Sequence, residues 1–237
     1  MIDLHVHLLP FLDHGPSSWE EALEMARMAV DDGITAIAAT PHRNFQFRPT
    51  QDRIRAAAGE LRNRLEEGGI PLEILVGADY HLTPELISSM EDIITLGDNG
   101  RYFLLELPEL VVPPNILDIL AIFIDKGLTP IITHPERNQH LRRKPGLVKD
   151  MAASGCPVQI TADSLRGVFG DPVMEAARTF ISNGMAHILA SDAHWADERP
   201  PVLSPALPLV EELSGVETAE RLVRDNPARI IRGDDFH

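Results

Sequence analysis

A rhythm constrains this chain more than any other feature. Short apolar runs rich in Val, Ile and Leu recur at roughly 30-residue spacing, each followed by a segment of helical period. Seven runs read as buried strands: 2–8, 34–42, 72–82, 102–108, 129–135, 157–162 and 186–194. Between the first two, Ser18-Trp19-Glu20-Glu21 has the pattern of a capping box, and Gly33 suits the stop. A second helix is expected over 50–67, ending at Gly68-Gly69. Later helices are expected to start at Thr83-Pro84, Pro114, Asp171-Pro172 and Ser204-Pro205, because proline fits the first helical position. Gly127, Gly155 and Gly184 suit helix ends, each shortly before a strand. Such alternation builds βα units around a parallel sheet. Seven or eight units favour a closed or nearly closed barrel, with a doubly wound open sheet as the competitor. No linker or low-complexity run divides residues 1–237, which read as one domain. The tail after Ser204 reads as two or three short helices, one starting at Asn226-Pro227.

In a parallel barrel the C-terminal strand ends carry the active site. Six of the ten histidines fall there. Strand one ends with His5 and His7, then Asp13; strand two ends with His42; strand three carries Asp79 and His81. Strand four carries Glu106, strand five His134 with Glu136 and Arg137 after it, and strand seven Asp192 and His194. His5 and His7 are two apart and share a strand face, as do Asp192 and His194. Imidazole and carboxylate together suit zinc, manganese or iron, and the absence of Cys from the set favours the harder ions. Burying so many ionisable groups at one barrel mouth is costly without a cation. His187 opens its strand, so it belongs at the other end. His14, His140 and His237 read as loop or tail residues.

Composition narrows the function. The net charge of −15 sets a field that repels nucleic acid and anionic membranes. No run approaches the ~20 apolar residues of a membrane helix. Residues 1–7 lack the basic and apolar regions of a signal peptide, so a cytoplasmic location is expected. With a single cysteine there is no internal disulfide and no Cys-based zinc site.

The segments Asp3-Leu4-His5-Val6-His7, Ala39-Thr40-Pro41-His42, Ile132-Thr133-His134-Pro135-Glu136-Arg137-Asn138 and Ala190-Ser191-Asp192-Ala193-His194 resemble the PHP (polymerase and histidinol phosphatase) superfamily. Within it, Leu104-Leu105-Glu106-Leu107-Pro108, His134-Pro135-Glu136-Arg137-Asn138, and Gln159-Ile160-Thr161 with Ser164, Gly167, Phe169 and Gly170 look like one subgroup. It is the manganese-dependent protein-tyrosine phosphatases of capsule and exopolysaccharide operons (CpsB/YwqE type). The resemblance runs from Met1 to about Pro201, more loosely to Asn226-Pro227.

That resemblance implies an α/β fold, a distorted (β/α)7 TIM-like barrel, with three divalent ions, Mn2+ first and Fe or Zn as alternatives. Carried over by position, His5, His7 and Asp192 hold the first ion and Glu106 and His134 the second, with Asp79 bridging them. Asp13, His42 and His194 hold the third, and Arg137 and Arg199 grip the phosphate. A hydroxide bridging two ions attacks phosphorus, and His42, His194 or a metal ion meets the leaving group. The implied substrate is a phosphotyrosine protein, a bacterial tyrosine kinase controlling polysaccharide export. The superfamily usually has Glu where this chain has Asp79, one methylene shorter, which puts the bridge at issue. His81 shares the face of Asp79 and either assists as a ligand or holds substrate.

The chemistry is consistent with this. Four ligand carboxylates against three divalent ions leave a cationic pocket in an acidic protein, because bound ions dominate the local field. Metals acidify water and stabilise phosphoryl oxygens, and arginines add charge-assisted hydrogen bonds. The cysteine route to phosphotyrosine needs Arg six residues after Cys, but position 162 is Ala and Cys156 reads as a small buried apolar residue. The loop Arg43-Asn44-Phe45-Gln46-Phe47-Arg48 overhangs the mouth: Arg43, Phe45 and Phe47 either hold the substrate's ring and acidic flank or pack on the rim. Arg142-Arg143-Lys144 reads as a solvated helix start. The alternatives are a histidinol-phosphate or other small-molecule phosphatase, metal-dependent C–N hydrolysis, and a non-catalytic regulatory subunit of a polysaccharide assembly system.

Overall fold

A computed structural model describes residues 1–108, 110 and 112–235; His237, read as a tail residue, lies outside them. Among the described residues there are nine strands: β1 (Ile2–Val6), β2 (Ala36–Ala39), β3 (His42–Arg43), β4 (Glu73–Val76), β5 (Asp79–His81), β6 (Tyr102–Glu106), β7 (Thr129–Thr133), β8 (Val158–Thr161) and β9 (Ile188–Ala190). All pair in parallel, in the orders β1-β2-β4 and β3-β5-β6-β7-β8-β9. Since β2 leads into β3 and β4 into β5, the nine pieces make seven staves in chain order. The last returns to the first. Asp192 N–H donates to His5 O at 2.9 Å, His7 N–H donates to Ala193 O at 2.8 Å, and Val6 bridges Ala193 in parallel. The TIM-like α/β architecture is therefore as expected.

The expected single strands 34–42 and 72–82 are each broken in two. Pro41 has no N–H to give the ladder. Beside it, a Cβ on Gly77 would lie 2.8 Å from Leu96 Cδ2 and 2.9 Å from Thr40 Cγ2, so only glycine fits. The breaks are matched, with Gly77 N–H donating to Ala39 O and Asp79 N–H to Pro41 O. Beyond them β3 and β5 start afresh, carrying His42, Asp79 and His81.

Helices cover the outside: α1 (Trp19–Asp31), α2 (Gln51–Glu67), α3 (Pro84–Ser88), α4 (Ile116–Asp125), α5 (Gln139–Arg143), α6 (Pro145–Ala153), α7 (Ala162–Leu165) and α8 (Asp171–Ser182). The tail holds α9 (Leu207–Ser214), α10 (Val216–Glu220) and α11 (Asn226–Arg232). Ser18, Thr50 and Thr83 cap α1, α2 and α3 by accepting from backbone N–H groups, as their positions suggest. Helix α4 starts at Ile116 rather than at Pro114. The basic run closes α5 instead of opening a helix, and Arg142 donates to Glu136 O and Arg137 O at 3.1 and 2.8 Å, fixing the turn that carries Arg137.

Two apolar layers hold the fold. Leu4, Ala38, Tyr102, Leu104, Ile131 and Ile188 form a small cluster with Ile230 of α11. A larger cluster joins Ile37, Phe103, Leu105 and Ile132 to helix residues such as Met25, Leu61, Phe123 and Phe180. Each such phenylalanine contributes roughly 2–3 kcal/mol by leaving water. Along β6, Tyr102, Leu104 and Glu106 share a face by strand alternation, so the apolar layer gives way at its end to ionisable groups.

Candidate metal centre

Among the described residues, three groups bring a ligand atom from each member within 4.8 Å of the others: His5, His7 and Asp192; His42, Asp79 and Glu106; and His7, His42 and His194. His134 joins at the edge, its Nε2 3.8 Å from Glu106 Oε1. Most of the expected ligands thus converge, drawn from six staves. His5, His7 and Asp79 are wholly buried, and Asp192, His194 and His134 nearly so.

Their neighbours fix their orientation. His5 Nδ1–H donates to Gln159 Oε1 at 2.8 Å, which turns its Nε2 toward Asp192 Oδ1 (3.4 Å) and Asp79 Oδ2 (3.7 Å). His7 Nδ1–H donates to Asp13 Oδ2 at 2.6 Å, turning its Nε2 toward Asp192 Oδ1 at 3.4 Å. Asp13 also accepts from the N–H groups of His42 and Gly15. Its carboxylate is thus turned to His7 and to backbone. His194 Nδ1–H donates to Asp192 O at 2.8 Å and leaves Nε2 outward. Imidazoles held this way are the usual support of metal-binding histidines. His134 and Asp192 adopt φ of +32° and +52°, a costly region for non-glycine residues that is over-represented at functional sites.

Four of the eight buried side-chain polar atoms without a hydrogen-bond partner among the described residues are His42 Nδ1, both oxygens of Asp79, and Glu106 Oε2. Orphaned groups of this kind are expensive in a protein interior. They lie together, His42 Nδ1 being 3.0 Å from Asp79 Oδ2 and 3.9 Å from Glu106 Oε2. A divalent cation is the partner that nitrogen and carboxylate donors of this type fit.

Protonation is consistent with ligand duty. Burial, then the charge of His7, lowers His42 to about 4; burial, then Arg137, lowers His134 to about 3. Burial and the nearby His7 also lower His194, so these three rings are neutral. Burial, then Glu106, raises Asp79 to about 7. His7 differs. Burial works against its cation, but the charge and hydrogen bond of Asp13, with Asp192, outweigh it and raise the pKa to about 10.

One arginine follows β7 and the other follows β9. Arg137 Nη1 and Arg199 Nη2 donate to Asp192 Oδ2 at 2.5 and 2.6 Å. Both guanidinium carbons stand over the Phe169 ring, 4.8 and 5.5 Å from its centre. The loop over the mouth divides. Phe47 packs on the rim against His14 and His42, while Phe45 is 68% exposed. Arg43 donates to Asp92 O and lies over Tyr80. His81 pairs with Glu106 and walls two cavities, one of about 190 Å3 shared with Arg43 and Phe47, the other of about 140 Å3 shared with His134 and Arg137.

Sequence reading missed some site residues. His14, read as a loop residue, has Nε2 3.0 Å from His194 Nε2, with its ring beside His42. Only the path of the loop brings it there, although its place beside Asp13 was a hint. Gln159 and Phe169 stand in the sequence motifs, whose spacing gives no sign of their roles. Glu136 is buried, accepts from Thr161 N–H at 2.9 Å, and does not join the donor set. His187 lies away from the mouth, as expected, accepting from Val158 N–H at its Nδ1, and Cys156 is buried.

The family model for capsular polysaccharide synthesis, CpsB/CapC, matches residues 1–232. Tyrosine-protein phosphatase YwqE of Bacillus subtilis (strain 168) is 34% identical over 237 residues, covering 95% of this chain and 92% of its own. Tyrosine-protein phosphatase CpsB of Streptococcus pneumoniae is 30% identical, with 98% of each chain covered. A crystal structure from the work on YwqE of B. subtilis and CpsB of S. pneumoniae, described as unique metal-dependent tyrosine phosphatases, superposes with a TM-score of 0.93. It is 33% identical and covers 99% of this chain and 95% of that one. No helix among the described residues is long and apolar enough to cross a membrane.

Proposed function

The chain belongs to the CpsB/CapC family of capsular polysaccharide synthesis, and on that premise we propose that it is a metal-dependent protein-tyrosine phosphatase. The observation that carries this reading is the set of orphaned donors, His42 Nδ1, Asp79 Oδ1 and Oδ2 and Glu106 Oε2, beside two arginines that share one phenylalanine. In this reading one domain spans residues 1–237 and works in the cytoplasm. Its substrate is phosphotyrosine on a bacterial tyrosine kinase that regulates capsule or exopolysaccharide synthesis.

Three divalent ions, manganese first, are assigned to this centre. His5, His7 and Asp192 hold one, and Glu106 and His134 hold another, with Asp79 between them. Asp13, His42 and His194 would hold the third; Asp13 also orients His7, and His14 Nε2 lies beside His194 Nε2. Bound divalent ions supply acidified water and positive charge for the phosphoryl oxygens.

The chain's own residues do the rest. Gln159 and Asp13 hold His5 and His7 with Nε2 inward. Arg137 and Arg199 stand ready to exchange Asp192 for phosphoryl oxygens, and Phe169 keeps both guanidinium planes near the site. His194 Nε2 is left for the third ion, because its Nδ1–H is committed to Asp192 O. A phenol of pKa about 10 leaves with little help.

The test is to strip the protein with chelator, restore Mn2+, and measure phosphate release from a phosphotyrosine peptide beside histidinol phosphate. Metal-dependent turnover of the peptide is expected. Turnover of histidinol phosphate alone moves the substrate, and no turnover with metal bound removes the assignment.

A further inference from the structure

Resting on the phosphatase reading, we propose that Glu136 is a positioning residue: it ties the turn that carries Arg137 to the loop that carries Phe169, and so holds the Arg137 guanidinium where it meets a phosphoryl group. Three observations support this.

First, the two segments are separate pieces of chain, each closed on itself. Residues 134–138 form a turn after β7, in which Arg137 N–H donates to His134 O at 2.9 Å and Asn138 N–H to Pro135 O at 3.1 Å. Phe169 stands in a loop rooted on β8. Helix α7 follows Thr161 directly, Val168 N–H donates back to Asp163 O at 3.0 Å, and Gly170 N–H donates to Gly167 O at 3.0 Å.

Second, Glu136 Oε1 accepts from Thr161 N–H at 2.9 Å. Among the described residues this is the one hydrogen bond between residues 134–138 and residues 161–170. The other ties of the Arg137 turn lead elsewhere. Arg142 reaches the carbonyls of Glu136 and Arg137 from α5, and Asn138 Nδ2 donates to Pro108 O at 2.8 Å. Glu136 alone reaches the side on which the Phe169 ring centre lies 4.8 Å from the Arg137 guanidinium carbon.

Third, Glu136 is a costly residue to keep for stability alone. It is wholly buried, makes no ion pair among the described residues, and leaves its Oε2 without a hydrogen-bond partner. Burying a carboxyl in that way costs free energy. Features kept against stability belong to sites held for function. With the tie in place, Arg137 arrives preorganised, sharing Asp192 Oδ2 and the Phe169 ring with Arg199. Without it, the turn loses its register on Phe169, and a misplacement of about 1 Å costs about 10²-fold in rate.

The experiment is a double-mutant cycle on the Mn2+-loaded protein. Wild type, Glu136→Ala, Glu136→Gln, Arg137→Ala and the pair Glu136→Ala/Arg137→Ala are compared for kcat and KM on a phosphotyrosine peptide. Affinity for inorganic phosphate is measured by calorimetry and Mn2+ per chain is counted, while urea midpoints and circular dichroism check the fold. The expected result is that Glu136→Ala keeps its Mn2+, loses about 10–100-fold in kcat with a smaller change in KM, and binds phosphate more weakly. Glu136→Gln keeps an acceptor for Thr161 N–H and recovers most of both. In the Arg137→Ala background the Glu136→Ala change costs less than about twofold, because the group it positions is gone. Should Glu136→Ala not fold, Glu136→Asp takes its place in the cycle, since it keeps the charge and falls one methylene short of Thr161. Wild-type kcat and phosphate affinity in a folded, metal-loaded Glu136→Ala or Glu136→Asp overturn the proposal. So does an equal loss with and without Arg137, which is what a role in stability alone gives. If wild type with Mn2+ neither binds phosphate nor hydrolyses the peptide, the phosphatase reading falls and this one with it. If wild type does both and the Glu136 variants match it, only the role of Glu136 falls.

Discussion

Asp13 stands directly behind His7: the His7 Nδ1–H donates to Asp13 Oδ2 at 2.6 Å. Burial opposes the Asp13 charge, but His7 and the N–H groups of His42 and Gly15 hold its carboxyl well below the usual range. Asp13→Ala leaves two backbone donors without this acceptor, which costs about 1–3 kcal/mol each where they are buried. It also frees the His7 ring to turn. Denaturant midpoints are expected to fall, and Mn2+ affinity to drop about 10–100-fold. Asp13→Asn is expected to retain more stability than affinity. A midpoint and a binding isotherm that match wild type remove the supporting role.

Metal uptake is expected to release protons. Without metal, His7 titrates at about 10, so at neutral pH it is an imidazolium. A histidine binds metal only through a neutral nitrogen, and the ion must displace that proton. Affinity should rise with pH up to about 10, about tenfold per unit for one proton. Calorimetry in buffers of different ionisation heat counts the proton. A pH-independent affinity between 6 and 8, chosen as roughly the neutral span, contradicts the displacement.

The barrel and most of the donor set were readable in the sequence because strand alternation is a local code. His5 with His7, and Asp192 with His194, stand two apart at the ends of apolar runs, and the structure brings both pairs to one mouth. Two things were not readable for a physical reason. The strand breaks at Pro41 and Gly77 depend on a cross-strand fit, since only the approach of Thr40 and Leu96 shows that Gly77 has no room for a side chain. The place of His14 depends on a loop whose direction is set when Asp13 turns to His7 and to the N–H of His42. Neither interaction has a sequence spacing of its own.

Arg137 and Arg199 meet at one oxygen of Asp192, and Phe169 lies beneath both. Removing one preorganised donor to a transition-state oxygen costs about 10²–10³ in kcat. Arg137→Ala and Arg199→Ala are expected to lose that much on a phosphotyrosine peptide while still binding metal. Lysine at either place keeps the charge but not the planar fork, and should recover only part of the loss. Phe169→Ala should act in the same direction, more weakly. Full activity in both alanine variants would mean that the phosphate is held elsewhere.

Phe45 is exposed and Phe47 is half-buried against His14 and His42. A substrate peptide that covers Phe45 gains roughly 1.5–3 kcal/mol of apolar burial at most. Phe45→Ala should therefore raise KM for the peptide severalfold more than KM for free phosphotyrosine. Phe47→Ala should also weaken metal binding, because it loosens two imidazoles. If both variants leave peptide KM and kcat as they were, the loop does not hold substrate.

Glu136 links stability to pH. Burial pushes its carboxyl up from 4.5 to about 7, although Thr161 N–H works the other way. A carboxyl raised in the folded state holds its proton there more tightly than in the unfolded chain. The folded state therefore loses stability as pH rises from about 4.5 through about 7, and the full penalty, on the order of 3 kcal/mol, applies above that window. Glu136→Gln keeps an oxygen for Thr161 N–H and removes the titration. Metal-free wild type and Glu136→Gln should differ by a constant amount below pH 4.5, with the balance moving toward the variant by pH 8. Urea midpoints across that range measure the drift. A gap that stays constant with pH shows that Glu136 ionises as freely in the fold as outside it, and that its burial carries no electrostatic cost.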